Sequence, residues 1–394
     1  MKRGQALRMA IVRQRYNPFG GAERFIERAV SGLAEGGAAI SIIARSWQVR
    51  AEQASAQSGA VRLVRCDPFF LGRMWRDASF ARSVCQLIKG EHFDLVQSHE
   101  RLACCDVFRA GDGVHRQWLD LRARELGPLG RLAIRLNPYH RQLLATERRM
   151  FASHRLRAVI CNSAMVRADI ERHFVIDPGK LHVIYNGIDL QMFHPALRPL
   201  HRAEQRASRG ISEQAMVYLL VGSGFERKGI FRLLPAFAAA APRDSHLVVV
   251  GADKRIALAR RLAQRLGIGE RVHFTGGLNE VRPFYAMADC FVLPTLYDPF
   301  PNAAIEALAC GLPVITTHQS GAAELIRDQL NGQVCDALDA SGLARALAQA
   351  PHWRTEVHRS AAREAVAGLS IAAMSARLLA LYSALLDKPA QPPQ

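Results

Sequence analysis

No apolar run in these 394 residues approaches the roughly 20 that would span a bilayer; Leu378–Leu386 is the longest candidate near a terminus. The first residues, Met1-Lys2-Arg3-Gly4-Gln5, are basic but lead only into a short apolar strand, with no secretory cleavage pattern. A cytosolic chain is therefore expected. The eight cysteines include no Cys-x-x-Cys pair and no Cys/His cluster at zinc spacing, so reduced, buried thiols are expected rather than a metal site. Gly-x-Gly-x-x-Gly is missing after the first strand, which leaves a nicotinamide cofactor without support.

What is present is ordinary for a globular chain, 49% hydrophobic and 22% charged, and long enough for two domains with substantial cores. The charge balance is not ordinary. Lys and Arg number 52 against 35 Asp and Glu, a net +17. Such an excess favours a polyanionic partner: nucleic acid, an anionic membrane face or a phosphorylated substrate.

Apolar runs alternate with helical patterns from the start. Arg8–Gln14 reads as a strand, followed by the turn Pro18-Phe19-Gly20-Gly21-Ala22-Glu23 and an amphipathic helix. Gly20 and Gly21 serve either as a tight turn or as a place where backbone N–H groups approach a ligand closely. Further buried strands are expected at 39–44, 61–65, 94–98 and 107–110. Asp112, between two glycines, and His115 fall just past the last of these. Ligands of open α/β sheets bind at that edge, though Asp112 also suits a plain turn. His99 holds a similar position and reads as an ordinary residue.

Residues 115–155 change character, alternating nine arginines with Trp118, Tyr139 and many leucines, and broken by Pro128 and Pro138. The stretch fits an anionic membrane surface, or a set of core-covering helices with solvated Arg faces. Residues 195–210 are the best linker candidate. The alternation then restarts at Ala215–Val221, giving a second doubly wound unit. Its first turn carries Arg227-Lys228-Gly229, two cations at a strand-to-helix junction where a diphosphate would sit. Pro235 should kink the helix that starts there. Near the C-terminus Ile371, Met374, Leu378, Leu381, Tyr382 and Leu385 share one helical face.

The stretch 297–313 organises this second half. Pro299 and Pro301 hold off a helix until Pro301 or Asn302, so Asp298 lies in a loop and Glu306 about a turn and a half inside the helix. Two acids around an exposed helix N-terminus suit a ligand bearing hydroxyls and an anion, or simply an acidic cap region.

Taken in order, Pro18-Phe19-Gly20-Gly21-Ala22-Glu23, Gly224-Phe225-Glu226-Arg227-Lys228-Gly229 and Asp298-x7-Glu306 with its Ala307-Leu308-Ala309-Cys310-Gly311-Leu312-Pro313 tail resemble the retaining glycosyltransferases of family 4. The resemblance spans nearly the whole chain. Its nearest subgroup is the lipopolysaccharide-core enzymes that add the first outer-core glucose to inner-core heptose. It implies an α/β chain of GT-B fold, two facing Rossmann-like doubly wound domains: 1–195 binding the acceptor, 196–370 binding a nucleotide-sugar donor, and helix 371–387 crossing back to the first.

It further implies roles. Glu306 would hold the nucleotide ribose and Asp298 the transferred sugar. Arg227 and Lys228 would neutralise the diphosphate in place of a metal, so no cofactor is expected. Asn302 would belong to the donor site, with Gly20 and Gly21 passing close to the phosphates and sugar. Asp112 would lie beside the reacting carbon or acceptor hydroxyl. The family has Glu where Asp298 stands, which makes a hexose a firmer expectation than glucose from UDP-glucose. Attack from the leaving-group side and a covalent glycosyl-enzyme both fit these residues.

The implied partners are a phosphorylated lipopolysaccharide-core acceptor and the inner membrane's anionic cytoplasmic face, met through 115–150. A family 4 transferase with another donor or acceptor, or a nucleotide-sugar epimerase or hydrolase of the same fold, is the alternative. Nucleic acid is not expected, because the phosphate-type residues lie at βα junctions rather than on a basic recognition helix.

Overall fold

A computed structural model describes residues 7–16, 38–47 and 61–387. The Gly20–Gly21 turn and the helix expected after it lie outside them. The chain divides into two compact units, one running to Gly187 and resuming at Ile371, the other Ile188–Ser370.

The first unit is built on β1 (Arg8–Val12), β2 (Arg15–Tyr16), β3 (Ala39–Ala44), β4 (Ser46–Trp47), β5 (Val61–Arg65), β6 (Leu95–Ser98), β7 (Val107–Arg109), β8 (Ala158–Cys161) and β9 (Leu181–Val183). Seven of these form one sheet in the order β5-β3-β1-β6-β7-β8-β9. Every pairing is parallel, from Met9 opposite Ile40 and Leu95 to Cys161 opposite Val183. Parallel sheets need cover on both faces, which is why the central strands are continuously apolar. On one face, Phe80, Val84 and Ile88 of the Gly72–Gly90 helix pack with Phe108, Met150 and Phe151. On the other, Met374, Leu378, Leu381 and Tyr382 of the C-terminal Ile371–Asp387 helix cover Met9, Ile11, Ile40 and Ile160. Burying a side chain such as Leu378 contributes roughly 1.5–3 kcal/mol. The Tyr382 hydroxyl donates to Gln97 beneath it.

The second unit holds β10 (Val217–Val221), β11 (His246–Val250), β12 (Val272–Gly276), β13 (Cys290–Val292), β14 (Val314–Thr317) and β15 (Gly332–Cys335). The order is β12-β11-β10-β13-β14-β15, again all parallel. In both sheets the strand order reverses once, between β1 and β6 and between β10 and β13. Ligands of such sheets bind outside the carboxyl ends of the strands at that reversal.

Two expectations need correction. Residues 195–210 are not a linker: Leu197–Ala207 is a helix, and its Arg206 is fully buried. Arg198, Arg202 and Arg206 recur every four residues and so share a face. All three reach the buried carboxylate of Asp289, at 2.9, 3.1 and 2.7 Å. Nor are all eight thiols reduced, because Cys85 and Cys104 are bonded, their Cα atoms 5.8 Å apart; the other six cysteines are free and buried. Helix and loop meet there in space, 19 positions apart in sequence, which no Cys-x-x-Cys search detects. The helix expected to begin near Lys228 spans Ile230–Ala240 and contains Pro235.

The 115–155 stretch folds as His115–Glu125, Pro128–Leu136 and Pro138–Phe151. The outer two bury Leu119, Leu121, Met150 and Phe151, as core-covering helices do. The middle one buries nothing, and its Leu129 is 83% exposed, with Leu132 and Leu136 also open to solvent. No helix among the described residues is long and apolar enough to cross a membrane.

Candidate functional site

In the second unit the reversal between β10 and β13 brings two loops to one edge. After β10, Phe225–Lys228 makes a single helical turn, set off by Gly224 and Gly229, both left-handed at φ 79° and 84°. Gly229 has a second constraint, because a Cβ there would lie 2.0 Å from the Pro294 carbonyl oxygen of the loop after β13. Close approach of the two backbones thus requires glycine. Thr295 Oγ1 and Leu296 N both donate to the Arg227 carbonyl at 2.9 Å, locking the loops together.

That lock aims the side chains. Lys228 Nζ lies 2.6 Å from Asp298 Oδ2, both residues buried. Gly222 makes room for the lysine stem, a Cβ there falling 3.1 Å from Lys228 Cε. Arg227 Nη1 also reaches Asp298 Oδ2, at 3.2 Å, and donates to the Tyr297 carbonyl, while its side chain stays 43% exposed. Asp298 is itself pinned, its N–H donating to Gln319 O and its carbonyl accepting from Gly321 N. Burial works to raise the Asp298 pKa, but Lys228 and then Arg227 carry it below the ordinary value. The carboxylate is charged at neutral pH with two cations on one oxygen.

Asn302 opens the Asn302–Ala309 helix, whose Pro301 cap supplies no side-chain acceptor. Glu306, fifth in that helix, is buried and accepts from Tyr285 Oη at 2.8 Å. Asp298, Asn302, Glu306, Arg227 and Lys228 thus all belong to the two loops and the helix at this edge. Arg227 and Lys228 end their short turn rather than begin the long helix, so the positive charge there is carried by side chains.

Two residues that sequence reasoning passed over hold this arrangement. Asp253 accepts from Gly224 N and Phe225 N, both at 2.9 Å, capping the short turn. Burial again works to raise its pKa, and the backbone bonds from Arg255, Phe225 and Gly224 lower it. An acid two residues past Gly251 at a strand end was the available signal. Tyr285, which orients Glu306, gave none.

In the first unit, Asp112 sits exposed in the turn after β7, where Gly113 is left-handed at φ 69°. Beneath it, buried Glu147 accepts from Arg101 Nε and His115 N, both at 2.8 Å. His115 stacks on Trp118, and its Nε2 lies 3.1 Å from His140 Nδ1. Burial first, then Arg101, pushes its pKa down to about 3, so it is neutral. His99 is neutral too, held there by burial and by Arg109. Gly20 and Gly21 lie outside the described residues. Among those described, no group of His, Cys, Asp and Glu is arranged to hold a metal ion.

Known proteins resemble both units. The model of Glycosyltransferase Family 4 matches residues 19–192, and that of Glycosyl transferases group 1 matches 201–365. The chain is 29% identical to the lipopolysaccharide glucosyltransferase WaaG of Escherichia coli K12 over 323 residues, 81% of this chain and 83% of that one. It is 35% identical over 147 residues to the lipopolysaccharide core biosynthesis glycosyltransferase LpsE of Rhizobium meliloti, 37% of this chain and 43% of the relative. The crystal structure of WaaG superposes with a TM-score of 0.79 at 26% identity, covering 95% of this chain and 99% of that one.

Proposed function

This chain is a glycosyltransferase of family 4 with the GT-B fold, and on that premise we propose that it transfers a hexose, foremost glucose from UDP-glucose, onto an inner-core heptose of lipopolysaccharide. The observation that carries the reading is the buried Lys228–Asp298 pair with Arg227 and Glu306 at the β10/β13 reversal. A nucleotide sugar has a ribose, a diphosphate and a hexose, and this edge offers one group for each.

Glu306, oriented by Tyr285, takes the ribose hydroxyls. Arg227 and Lys228 take the diphosphate, supplying preorganised charge that needs no metal. Both cations address Asp298 Oδ2, leaving Oδ1 for a hexose hydroxyl, and the helix N-terminus at Asn302 would face the same ligand. Asp112 would orient the acceptor hydroxyl. In the retaining step the C1–phosphate oxygen bond breaks as the acceptor oxygen bonds to C1 from the same face. The acceptor proton passes to the departing phosphate oxygen. Asp298 is shorter than the family Glu by one C–C bond, about 1.5 Å, so the hexose must sit correspondingly deeper.

The Pro128–Leu136 helix, bare of core contacts and flanked by arginines, would rest on the anionic cytoplasmic face of the inner membrane. Incubating the enzyme with a panel of nucleotide sugars and a truncated lipopolysaccharide core, read by mass, tests the chemistry. One added hexose, fastest from UDP-glucose, is expected. Free sugar released without acceptor would replace transfer with hydrolysis.

A further inference from the structure

The first unit has a cavity of about 410 Å³ lined by Arg15, Arg45, Ser46, Arg65 and Asp67. Its walls come from the carboxyl ends of β1, β3 and β5: β2 and β4 extend the first two strands and pair with each other, and Arg65 closes β5. The cavity therefore opens on the sheet edge where ligands of this architecture bind.

Its charge is unbalanced, with three guanidinium groups facing one carboxylate. Arg45 is 6% exposed and fixed in place. Nη1 reaches Asp67 Oδ1 at 2.8 Å and Pro68 O at 2.7 Å, Nη2 reaches Arg76 O at 3.0 Å, and the group lies over the Phe70 ring. Its Nε is buried with no hydrogen-bond partner. Arg65 shares Asp67, at 3.0 Å, yet keeps 71% of its side chain exposed. One rigid cation and two movable ones around a single acid leave an excess of two positive charges, matched to a dianion. Guanidinium forks pair with phosphate oxygens two at a time.

We infer that this cavity binds a phosphate monoester carried by the acceptor, at a point remote from the hydroxyl that reacts. The inference rests on the function proposed above. β1 and β5 stand two and four strands from β7, the strand that presents Asp112. At about 4.8 Å per strand that is roughly 10–19 Å. The pocket thus grips the acceptor one or more sugar residues from the transfer point and selects acceptors that are already phosphorylated. The reaction class that must precede this one is phosphorylation of the acceptor saccharide.

The test compares wild type with Arg15→Gln and Arg65→Gln, both exposed positions, on intact and enzymatically dephosphorylated core acceptor. On intact acceptor each variant is expected to raise the acceptor KM about tenfold, the loss falling on KM rather than kcat. On dephosphorylated acceptor, wild type and variants converge. Inorganic phosphate competes with the intact acceptor. Equal KM shifts on both acceptors, or none, would overturn the inference. So would convergence only on a carboxyl-reduced acceptor that keeps its phosphate, which would make the bound anion a carboxylate. If wild type glycosylates no core acceptor, the function proposed above fails separately. Calorimetric titration with inorganic phosphate then decides the pocket: binding by wild type and its loss in Arg65→Gln keeps it, and no binding by wild type removes it.

Discussion

Lys228→Met separates a catalytic cation from a structural one. In the folded protein Lys228 Nζ lies 2.6 Å from the buried Asp298 carboxylate, with Arg227 the second cation at 3.2 Å and 43% exposed. Deleting one partner of a buried pair costs about 3–5 kcal/mol when nothing else compensates the remaining charge. Arg227 remains, so a loss near 3 kcal/mol is expected in urea unfolding. The Asp298 pKa should rise with it, since burial is then opposed by one cation instead of two. A depressed carboxylate pKa stabilises the fold above the ordinary Asp value, near 3.9, and that stability is lost as pH falls through the folded value. The acid limb of the stability profile should therefore move to higher pH in the variant.

Activity follows a separate logic. One preorganised donor at a site of developing charge is worth about 10²–10³ in kcat, or about 2.7–4 kcal/mol. The double variant Lys228→Met/Asp298→Asn removes both charges, so it should recover most of the stability while staying at least ~10²-fold slow. Turnover is measured by nucleoside diphosphate release at saturating donor and acceptor. A single variant within a few-fold of wild type, or a double variant that regains activity, would make Lys228 a mere counter-ion for Asp298 and refute the diphosphate role.

Arg206→Ala should lower unfolding stability by about 3 kcal/mol: Arg198 and Arg202 still pair with Asp289, but the buried carboxylate loses its shortest ion pair and the Ala215 carbonyl loses its guanidinium donor. Thermal melts of the purified variant check it. Gly229→Ala forces a left-handed residue into a Cβ contact of 2.0 Å with Pro294 O, so loss of soluble protein or of donor binding is expected, and a normal Tm with normal turnover would contradict the close approach. Leu129→Ser/Leu132→Ser/Leu136→Ser changes only exposed positions, so far-ultraviolet circular dichroism should match wild type. Co-sedimentation with anionic vesicles at low salt should drop several-fold, and unaltered binding would remove this helix from the membrane surface.

Much of the fold could be read from the chain because both sheets are parallel and buried on both faces, so each strand is a short continuous apolar run between helical patterns. Helix 371–387 was legible for the same reason: its apolar face repeats over four turns. The linker reading failed on composition. Prolines and charges at 195–210 resemble a connector, whereas the decisive feature is three arginines at four-residue spacing aimed at one distant carboxylate. Asp289 sits some 80–90 positions away, and charge pairing across that distance has no local signature. The Cys85–Cys104 bond escaped for the same reason.

The placement of the candidate site residues was legible in proportion to how local it is. Asp298 and Glu306 announce themselves because two prolines between them dictate loop and then helix, and Arg227-Lys228-Gly229 because a strand ends just before it. Their relation was not legible. The sequence placed a diphosphate at Arg227-Lys228-Gly229 and treated Asp298 and Glu306 apart from it, but in the folded chain both cations already share Asp298 Oδ2. A donor diphosphate would therefore compete with Asp298 for Lys228, and that competition gives the shortened acid a purpose. A carboxylate one methylene shorter, its backbone pinned at Gln319 and Gly321, has less freedom to follow the lysine toward a ligand. Asp298→Glu should then tighten or loosen donor binding without unfolding the unit, and it should alter the ranking of hexoses. An unchanged ranking would mean that the extra methylene is absorbed by the loop and that sugar choice is made elsewhere.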